Sequence, residues 1–141
     1  MEYPTVIPMM AYADGPAAMD WLVSAFGFVE RARMIGEGGR LSHGELQIGP
    51  DAVIMVATPS PHYQGPRRHR EECETAMRWQ EVPYVVDGVL VYVDDLESHF
   101  ERARAAGARI LSEIEGDEFS RKYRVEDLEG HRWMFLQRGV G

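Results

Sequence analysis

Residues 91–110, VYVDDLESHFERARAAGARI, predict a β-strand that is followed by an amphipathic helix. The valines and the tyrosine at the start of this stretch are typical of a strand. Asp95 belongs to the residue types that cap helix N-termini, and Gly107 is typical of a helix C-terminus. Between them, the helical periodicity predicts a buried stripe of three side chains: Leu96, Phe100 and Ala103.

The first half of the chain repeats this pattern, with the strand sequence TVIPMMAYAD before the helix sequence GPAAMDWLVSAFG. Three pairs of landmarks recur at a nearly constant distance: Asp14 and Asp95 are 81 residues apart, Gly27 and Gly107 are 80, and Met55 and Met134 are 79. Each copy predicts the order strand, helix, strand, strand, strand. We therefore expect one domain over residues 1–141, made of a module 4–57, a linker 58–87 and a module 87–138. The long linker predicts either a cover over a functional site or an arm that packs on a module.

Composition and charge exclude several classes of protein. The chain has 141 residues, of which 15 are Lys or Arg and 23 are Asp or Glu, so its net charge is −8. Proteins that bind nucleic acid depend on clustered basic residues, so we expect no nucleic-acid partner. The longest apolar runs have five or six residues, such as AVIMVA at 52–57, which predicts no membrane span. The single Cys73 and the absence of a charged leader predict a soluble, cytoplasmic protein without an intrachain disulfide.

These motifs together resemble the vicinal oxygen chelate superfamily, which includes glyoxalase I, bleomycin-resistance proteins and extradiol dioxygenases. The resemblance covers nearly the whole chain. It rests on VYVDDLESHFERARAAGARI and VEDLEGHRWMF in the second module, and on YADGPAAMDWLVSAFGF and HGELQIGPDAVIMV in the first. The chain is most similar to the bleomycin-resistance-like subgroup, in which a DPxGH-type turn precedes the last strand; here Leu128 stands where proline is usual. The resemblance implies an α+β fold with two βαβββ modules, whose curved mixed sheets enclose a cavity, and it implies a homodimer.

The resemblance also identifies the positions that hold the metal in the metal-dependent members, on the first and last strand of each module. In this chain those positions carry Ile7, Met55, Gly88 and Met134. Isoleucine and glycine offer no side-chain donor, and a thioether suits soft metals only. A shift of the alignment by one residue brings in a single oxygen donor, Asp87. We therefore expect no metal site and no cofactor.

Strand alternation predicts which side chains line the cavity instead. In the strand LSHGELQI, the face with Gly44, Leu46 and Ile48 is apolar and is expected to pack under the helices. The opposite face of this strand, the corresponding face of its repeat RKYRVE and side chains of the other strands are expected to surround a small-molecule ligand. The predicted ligand-binding residues are His43, Glu45, Gln47, Met55, Tyr92, Arg124, Glu126 and Met134.

Two of these positions have a structural and a functional interpretation. His43 and Glu45 point the same way on one strand, so they are the candidates for a catalytic base and the group that orients it. The alternative is a structural histidine that hydrogen-bonds to a neighbouring strand. Arg124 could bind a ligand carboxylate or carbonyl group, or it could form a cross-strand ion pair.

Three functions are compatible with the predicted fold and cavity. The first is metal-independent binding of a small molecule in the cavity, which needs neither a nucleophile nor a metal. The second is an enzyme of the lyase, isomerase or dioxygenase kind, which would use His43 and Glu45 or an atypically placed metal. The third is an interaction module whose cavity is filled by its own side chains, since eight methionines make such filling feasible. We favour the first.

Overall fold

A computed structural model describes residues 2–83, 85–117 and 119–139 of the chain. The order of the elements is the predicted one, with two βαβββ modules and a helical linker. The elements are β1 (Met9–Ala11), α1 (Gly15–Phe26), β2 (Val29–Ile35), β3 (Leu41–Ile48), β4 (Ala52–Ala57), α2 (Pro66–Glu72), α3 (Glu74–Trp79), β5 (Gly88–Val93), α4 (Leu96–Ala105), β6 (Arg109–Glu115), β7 (Lys122–Glu126) and β8 (Arg132–Gln137). The chain forms two compact units, one that ends at Gly65 and one that begins at Pro66.

Each unit contains one four-stranded mixed sheet. The strand orders are β1-β4-β3-β2 and β5-β8-β7-β6, and in both sheets the first pair is parallel while the other two pairs are antiparallel. The α+β fold with βαβββ modules is therefore confirmed. Both sheets have two edge strands and do not close on themselves. None of the helices in the described ranges is long and apolar enough to cross a membrane.

Helix α1 covers one face of the first sheet. The Asp14 carboxylate accepts a hydrogen bond from the Ala17 amide at 3.1 Å, and Gly27 ends the helix with a positive φ of 77°. Both local predictions are confirmed. The helix lies close to β3 because Gly44 has no side chain: a Cβ atom there would be 2.5 Å from the Met19 sulfur. The face of β3 that carries Gly44 and Leu46 is buried, as predicted.

Aromatic side chains form the core of the second unit. Asp95 caps α4 by accepting a hydrogen bond from the Ser98 amide at 3.1 Å. The Phe100 and Tyr123 rings pack edge to face, with centroids 5.0 Å apart. The hydroxyl of Tyr123 lies 2.6 Å from Nδ1 of His99, and burial raises the pKa of this hydroxyl. Trp133 is buried, as its place on the strand predicts.

The turn before β8 is organised by a buried aspartate. One Asp127 carboxylate oxygen accepts hydrogen bonds from the Glu129 and His131 amides, each at 3.0 Å, and the other accepts from the Trp133 indole at 3.1 Å. These three bonds fix the turn although Leu128 replaces the usual proline. Gly130 completes the turn with a positive φ of 94°.

The linker contains an arm that packs on the second unit, and both of its helices, α2 and α3, belong to that unit. The Arg67 amide donates to the Glu129 carbonyl at 3.0 Å, and its guanidinium donates to the Asp127 carbonyl at 2.9 Å. The segment that follows α3 is held by Arg132, which donates to the Gln80 and Val82 carbonyls, both at 2.8 Å. Of the two interpretations of the linker, these contacts favour the packing arm.

Candidate functional site

The open face of the first sheet lies opposite α1. Across the three strands β1, β4 and β3, the register places Met9 beside Met55 and Met55 beside Glu45. His43 lies two residues before Glu45 on the same face of β3. The structure thus brings together three of the predicted residues, His43, Glu45 and Met55, on one surface.

Glu45 is the centre of a hydrogen-bonded group on this face. Its side chain is buried although it is charged, with 6% of the residue exposed. The His43 Nε2 atom lies 2.7 Å from Glu45 Oε2, and the Tyr3 hydroxyl lies 2.9 and 3.0 Å from the two carboxylate oxygens. The guanidinium of Arg31 lies 5.0 Å from the centre of the Tyr3 ring. The Tyr3 hydroxyl and the His43 imidazole thus both donate to the carboxylate, as a buried charge requires.

Electrostatics match this geometry. The hydrogen bond from His43 and the one from Tyr3 outweigh burial, so the pKa of Glu45 lies below its usual value. The bond to Glu45 raises the pKa of the Tyr3 hydroxyl, which keeps it protonated as a donor. Glu45 is therefore an ionised carboxylate at neutral pH, and Tyr3 and His43 are its donors. The sequence did not reveal Tyr3, because no local pattern connects residues that are 42 positions apart.

An open cleft of about 250 Å³ lies on this part of the first unit. We call it the first cleft. Its lining is mainly apolar, with one ionisable side chain, His43. Met9 is 84% exposed and thus presents a large apolar surface to solvent. The residues that line the first cleft are Met9, Met10, Ala11, Ser42, His43, Met55, Val56, Ala57 and Pro59.

Two other predicted residues lie outside the lining of the first cleft. Gln47 turns toward the β3–β4 turn, where its side-chain amide donates to the Gly49 carbonyl at 3.0 Å. Tyr92, in the second unit, is 52% exposed, and the guanidinium of Arg138 lies 5.7 Å from the centre of its ring.

The second sheet repeats the register of the first. Leu90 pairs with Met134, and Met134 pairs with Arg124. The Arg124 amide donates a hydrogen bond to the Ser112 hydroxyl at 3.1 Å. A cleft of about 200 Å³, which we call the second cleft, lies here. Its lining residues are Pro83, Val86, Gly88, Val89, Leu90, Arg124, Arg132, Trp133 and Met134. The structure thus places Arg124 and Met134 in a cleft.

Glu126 is fully buried, which differs from its expected place on the cavity wall. Its carboxylate accepts hydrogen bonds from Arg70 at 2.8 and 3.3 Å, from Arg109 at 3.1 Å and from Arg132 at 2.9 and 3.1 Å. Burial alone would raise its pKa, but the bonds and charges of Arg70, Arg132 and Arg109 lower it below the usual value. Glu126 is therefore the centre of an arginine cluster that connects α2 to the sheet, and no part of it is exposed to a ligand.

The donor set at the metal positions of the resembled superfamily does not fit a hard or borderline divalent ion. At these positions Ile7 and Gly88 offer no side-chain donor, and Met55 and Met134 offer only thioether sulfurs. Within residues 2–83, 85–117 and 119–139, no three His, Cys, Asp or Glu side chains are grouped so that they could hold a metal ion.

Comparison with protein families gives a match over nearly the whole chain. Residues 7–135 match the family model described as "Glyoxalase/Bleomycin resistance protein/Dioxygenase superfamily". Two mycobacterial relatives, both described as uncharacterized proteins, are 28% identical over 135 residues, or 95% of this chain. The alignment covers 83% of the one from Mycobacterium bovis and 74% of the one from Mycobacterium tuberculosis H37Rv.

Solved structures show the same fold. TioX from Micromonospora sp. ML1 is 32% identical, with a TM-score of 0.69 over 95% of this chain and 98% of its own. TnmS3 from Streptomyces sp. CB03234, described as an antibiotic binding protein, is 16% identical, with a TM-score of 0.61 over 99% of this chain and all of its own. At that identity, the likeness to TnmS3 shows the fold alone.

Proposed function

We propose that this chain, which belongs to the glyoxalase/bleomycin resistance protein/dioxygenase superfamily, binds a small and largely apolar organic molecule on the open faces of its sheets, without a metal. The observation that carries this proposal is the first cleft, whose described lining is mainly apolar, with the methionines Met9, Met10 and Met55, and includes one ionisable group, His43. Concave apolar surfaces with a few polar groups are typical of ligand sites.

Methionine supports this proposal in two ways. Met9 is exposed and lies beside the partly exposed Met10 and Met55, and an apolar surface that neighbouring residues share is typical of a binding surface. The thioether is also flexible and polarizable, so Met9 and Met55 can adapt to flat aromatic surfaces of different shape. TnmS3, which shares this fold, is described as an antibiotic binding protein, and this supports a small organic molecule as the ligand.

The proposal of metal independence rests on the donor chemistry. Metal-dependent members of the superfamily carry imidazoles and carboxylates at the positions that Met55 and Met134 occupy here. Because thioethers do not hold such an ion, a mechanism with a metal-bound water or a metal-polarised carbonyl oxygen has no support at these positions. Binding through apolar contacts and hydrogen bonds needs no such ion.

An NMR titration tests the proposal. Addition of 2-naphthol to the 15N-labelled chain should shift the amide signals of residues that line the first cleft, such as Ala11 and Ala57. Met55→Lys places a charge in the apolar lining and should abolish these shifts. Met77→Lys, at a half-exposed methionine of α3, is the matched control and should leave them unchanged. The absence of saturable shifts in the wild-type chain, or equal shifts in both variants, would contradict the proposal.

Arg124 gives the second cleft a different chemistry. Its guanidinium is a forked donor, so we propose that the second cleft accepts a carboxylate or carbonyl group beside the apolar side chains of Leu90 and Met134. Tyr92, half-exposed on the neighbouring strand β5, is proposed to extend this surface.

The contact between His43 and Glu45 favours a second candidate function, an enzyme that uses His43 as a general base. A carboxylate 2.7 Å from an imidazole nitrogen is the arrangement that orients a histidine for proton transfer. The test is the incorporation of solvent deuterium at an acidic C–H position of a bound ligand. Incorporation by the wild-type chain that is lost in His43→Ala while affinity persists would favour the enzyme. Its absence at saturating ligand would favour simple binding.

We also propose that the chain forms a homodimer in the cytoplasm, as the family resemblance implies. The edge strand β2 exposes three apolar side chains, Val29, Met34 and Ile35, and exposed apolar edges favour association. Light scattering after size exclusion should give twice the chain mass of 16.0 kDa, and Met34→Lys should reduce it. A monomer mass at high concentration would contradict the dimer.

A further inference from the structure

We infer that His43 is the polar recognition residue of the first cleft, and that its Nδ1 atom accepts a hydrogen bond from an N–H or O–H group of an otherwise apolar ligand. This inference rests on the proposed binding function and names the chemical class of the ligand: a flat apolar molecule with a neutral or cationic hydrogen-bond donor at its edge.

The contact with Glu45 determines the tautomer of His43. Its Nε2 atom lies 2.7 Å from a carboxylate oxygen of Glu45. An ionised carboxylate only accepts hydrogen bonds, so Nε2 carries the hydrogen in this contact. In a neutral imidazole the other nitrogen then carries none and is an acceptor. Glu45 therefore sets Nδ1 as the acceptor of the ring.

Glu45 stays ionised and stays in place. Its oxygens also lie within 3.0 Å of the Tyr3 hydroxyl, which donates because the carboxylate cannot. These two donors hold the pKa of Glu45 below its usual value despite burial. The carboxylate therefore remains charged at neutral pH, and His43 keeps its orientation without a ligand.

His43 must also be accessible at Nδ1 for this role. His43 lines the first cleft and its side chain is 36% exposed. Among the described residues, its only side-chain hydrogen bond is the one between Nε2 and Glu45. The Nδ1 atom has no such partner and is not buried. The Nδ1 atom is thus open to solvent or to a ligand.

The acceptor at Nδ1 determines the choice of ligand. A ligand that replaces the water at Nδ1 must supply a donor, or the acceptor is left unsatisfied, which is costly. The negative charge of Glu45 on the far side of the ring favours neutral or cationic ligands. A carboxylate or phosphate would place acceptor against acceptor and like charges close together. The remaining lining, with Met9 and Met55, accepts the apolar body.

Two probes that differ in a single donor test this inference. 2-Naphthol offers an O–H group, and 2-methoxynaphthalene has the same ring system without it. We expect the wild-type chain to bind 2-naphthol about 3- to 10-fold more tightly, the usual effect of one hydrogen bond. In His43→Ala the two affinities should become equal, while the Met77→Lys control should keep the wild-type ratio. Equal affinities in the wild-type chain would overturn the inference and leave the proposed binding intact. If neither probe shifts the signals of the first cleft, the proposed function fails as well.

A second measurement needs no ligand. Long-range 15N–1H correlation spectra report which imidazole nitrogen carries the hydrogen, and we expect the Nε2–H tautomer for His43 in the wild-type chain. Glu45→Gln and Tyr3→Phe should reduce the share of this tautomer, the former more. A dominant Nδ1–H tautomer in the wild-type chain would overturn the inference whatever the probes do.

Discussion

Glu45 and Arg124 occupy the same position in the two repeats: Glu45 pairs with Met55 across the first sheet, and Arg124 pairs with Met134 across the second. The two clefts therefore share a methionine in the middle of the sheet but have opposite charges beside it. In the first unit the charged group is buried and hydrogen-bonded to His43, whereas in the second unit Arg124 lines the cleft itself. The chemistry of each cleft follows from this one difference.

The first prediction concerns the second cleft. We predict that 2-naphthoate shifts the amide signals of Leu90 and Met134, because a carboxylate matches the donors of Arg124. Arg124→Met should weaken this binding about 5- to 10-fold, a modest effect because the cleft is open to water. Arg68→Met, at a surface arginine of α2, should have no effect. The same affinity in both variants would show that Arg124 does not bind the carboxylate.

The second prediction concerns the arm that packs on the second unit. Arg70 of α2 donates to buried Glu126, and its side chain is mostly buried. We predict that Arg70→Met lowers the free energy of unfolding by about 1–3 kcal/mol, since a hydrogen bond to a buried charge is lost while two arginines remain. Arg68→Met, on the same helix, removes an exposed pair with Glu72 and should cost at most about 0.5 kcal/mol. Urea denaturation measures both, and equal losses would contradict the cluster as the anchor of α2.

The third prediction is a pH dependence that comes from Glu126. Its pKa in the folded chain lies below the ordinary value of 4.5, so folding favours the ionised form. The stabilisation is complete above the pKa of the unfolded chain and is lost as the pH falls through the lower pKa of the folded chain. We therefore predict that the free energy of unfolding is constant for this group above about pH 5.5 and decreases below about pH 4.5.

Two variants isolate this effect. Glu126→Gln should be less stable at neutral pH and should show a shallower decrease in acid. Glu115→Gln, at an exposed carboxylate at the end of β6, should keep the wild-type slope. If the free energy of unfolding of Glu126→Gln decreases between pH 5.5 and 3 as steeply as that of the wild-type chain, the acid transition belongs to other carboxylates.

The fourth prediction concerns the contact of α1 with the first sheet. A Cβ atom at Gly44 would lie 2.5 Å from the Met19 sulfur and 2.9 Å from a Val56 methyl group. Gly44→Ala should therefore overpack the core and lower the free energy of unfolding by about 1–3 kcal/mol. Gly139→Ala adds the same methyl group where nothing lies within 4 Å, and thermal unfolding should not detect it. A neutral Gly44→Ala would mean that α1 can move away from β3 at no cost.

The modules could be predicted because their signals are local. Asp14 and Asp95 cap their helices by accepting a hydrogen bond from the amide three residues later, and Gly27 and Gly107 lie just after the helix ends. Each signal therefore lies within one turn of the helix end that it determines. Strand alternation also correctly assigned the buried face of β3, with Gly44.

The parts of the site that could not be predicted depend on distant partners. Tyr3 reaches Glu45 over 42 positions, and Arg70 reaches Glu126 over 56. Alternation gives the face of a strand on which a residue lies but not what covers that face. It placed Glu126 and Arg124 on one face. However, Glu126 is covered by α2 and Arg132, whereas Arg124 lines the second cleft.

Binding of a small organic molecule in the first cleft without a metal can be measured in solution. The most direct test is the dissociation constant for 2-naphthol, from shifts of the amide signals of the first cleft, before and after treatment with EDTA. We expect the same dissociation constant in both samples. Binding that disappears with EDTA and returns when Zn²⁺, Ni²⁺, Fe²⁺ or Mn²⁺ is added back would contradict metal-independent binding.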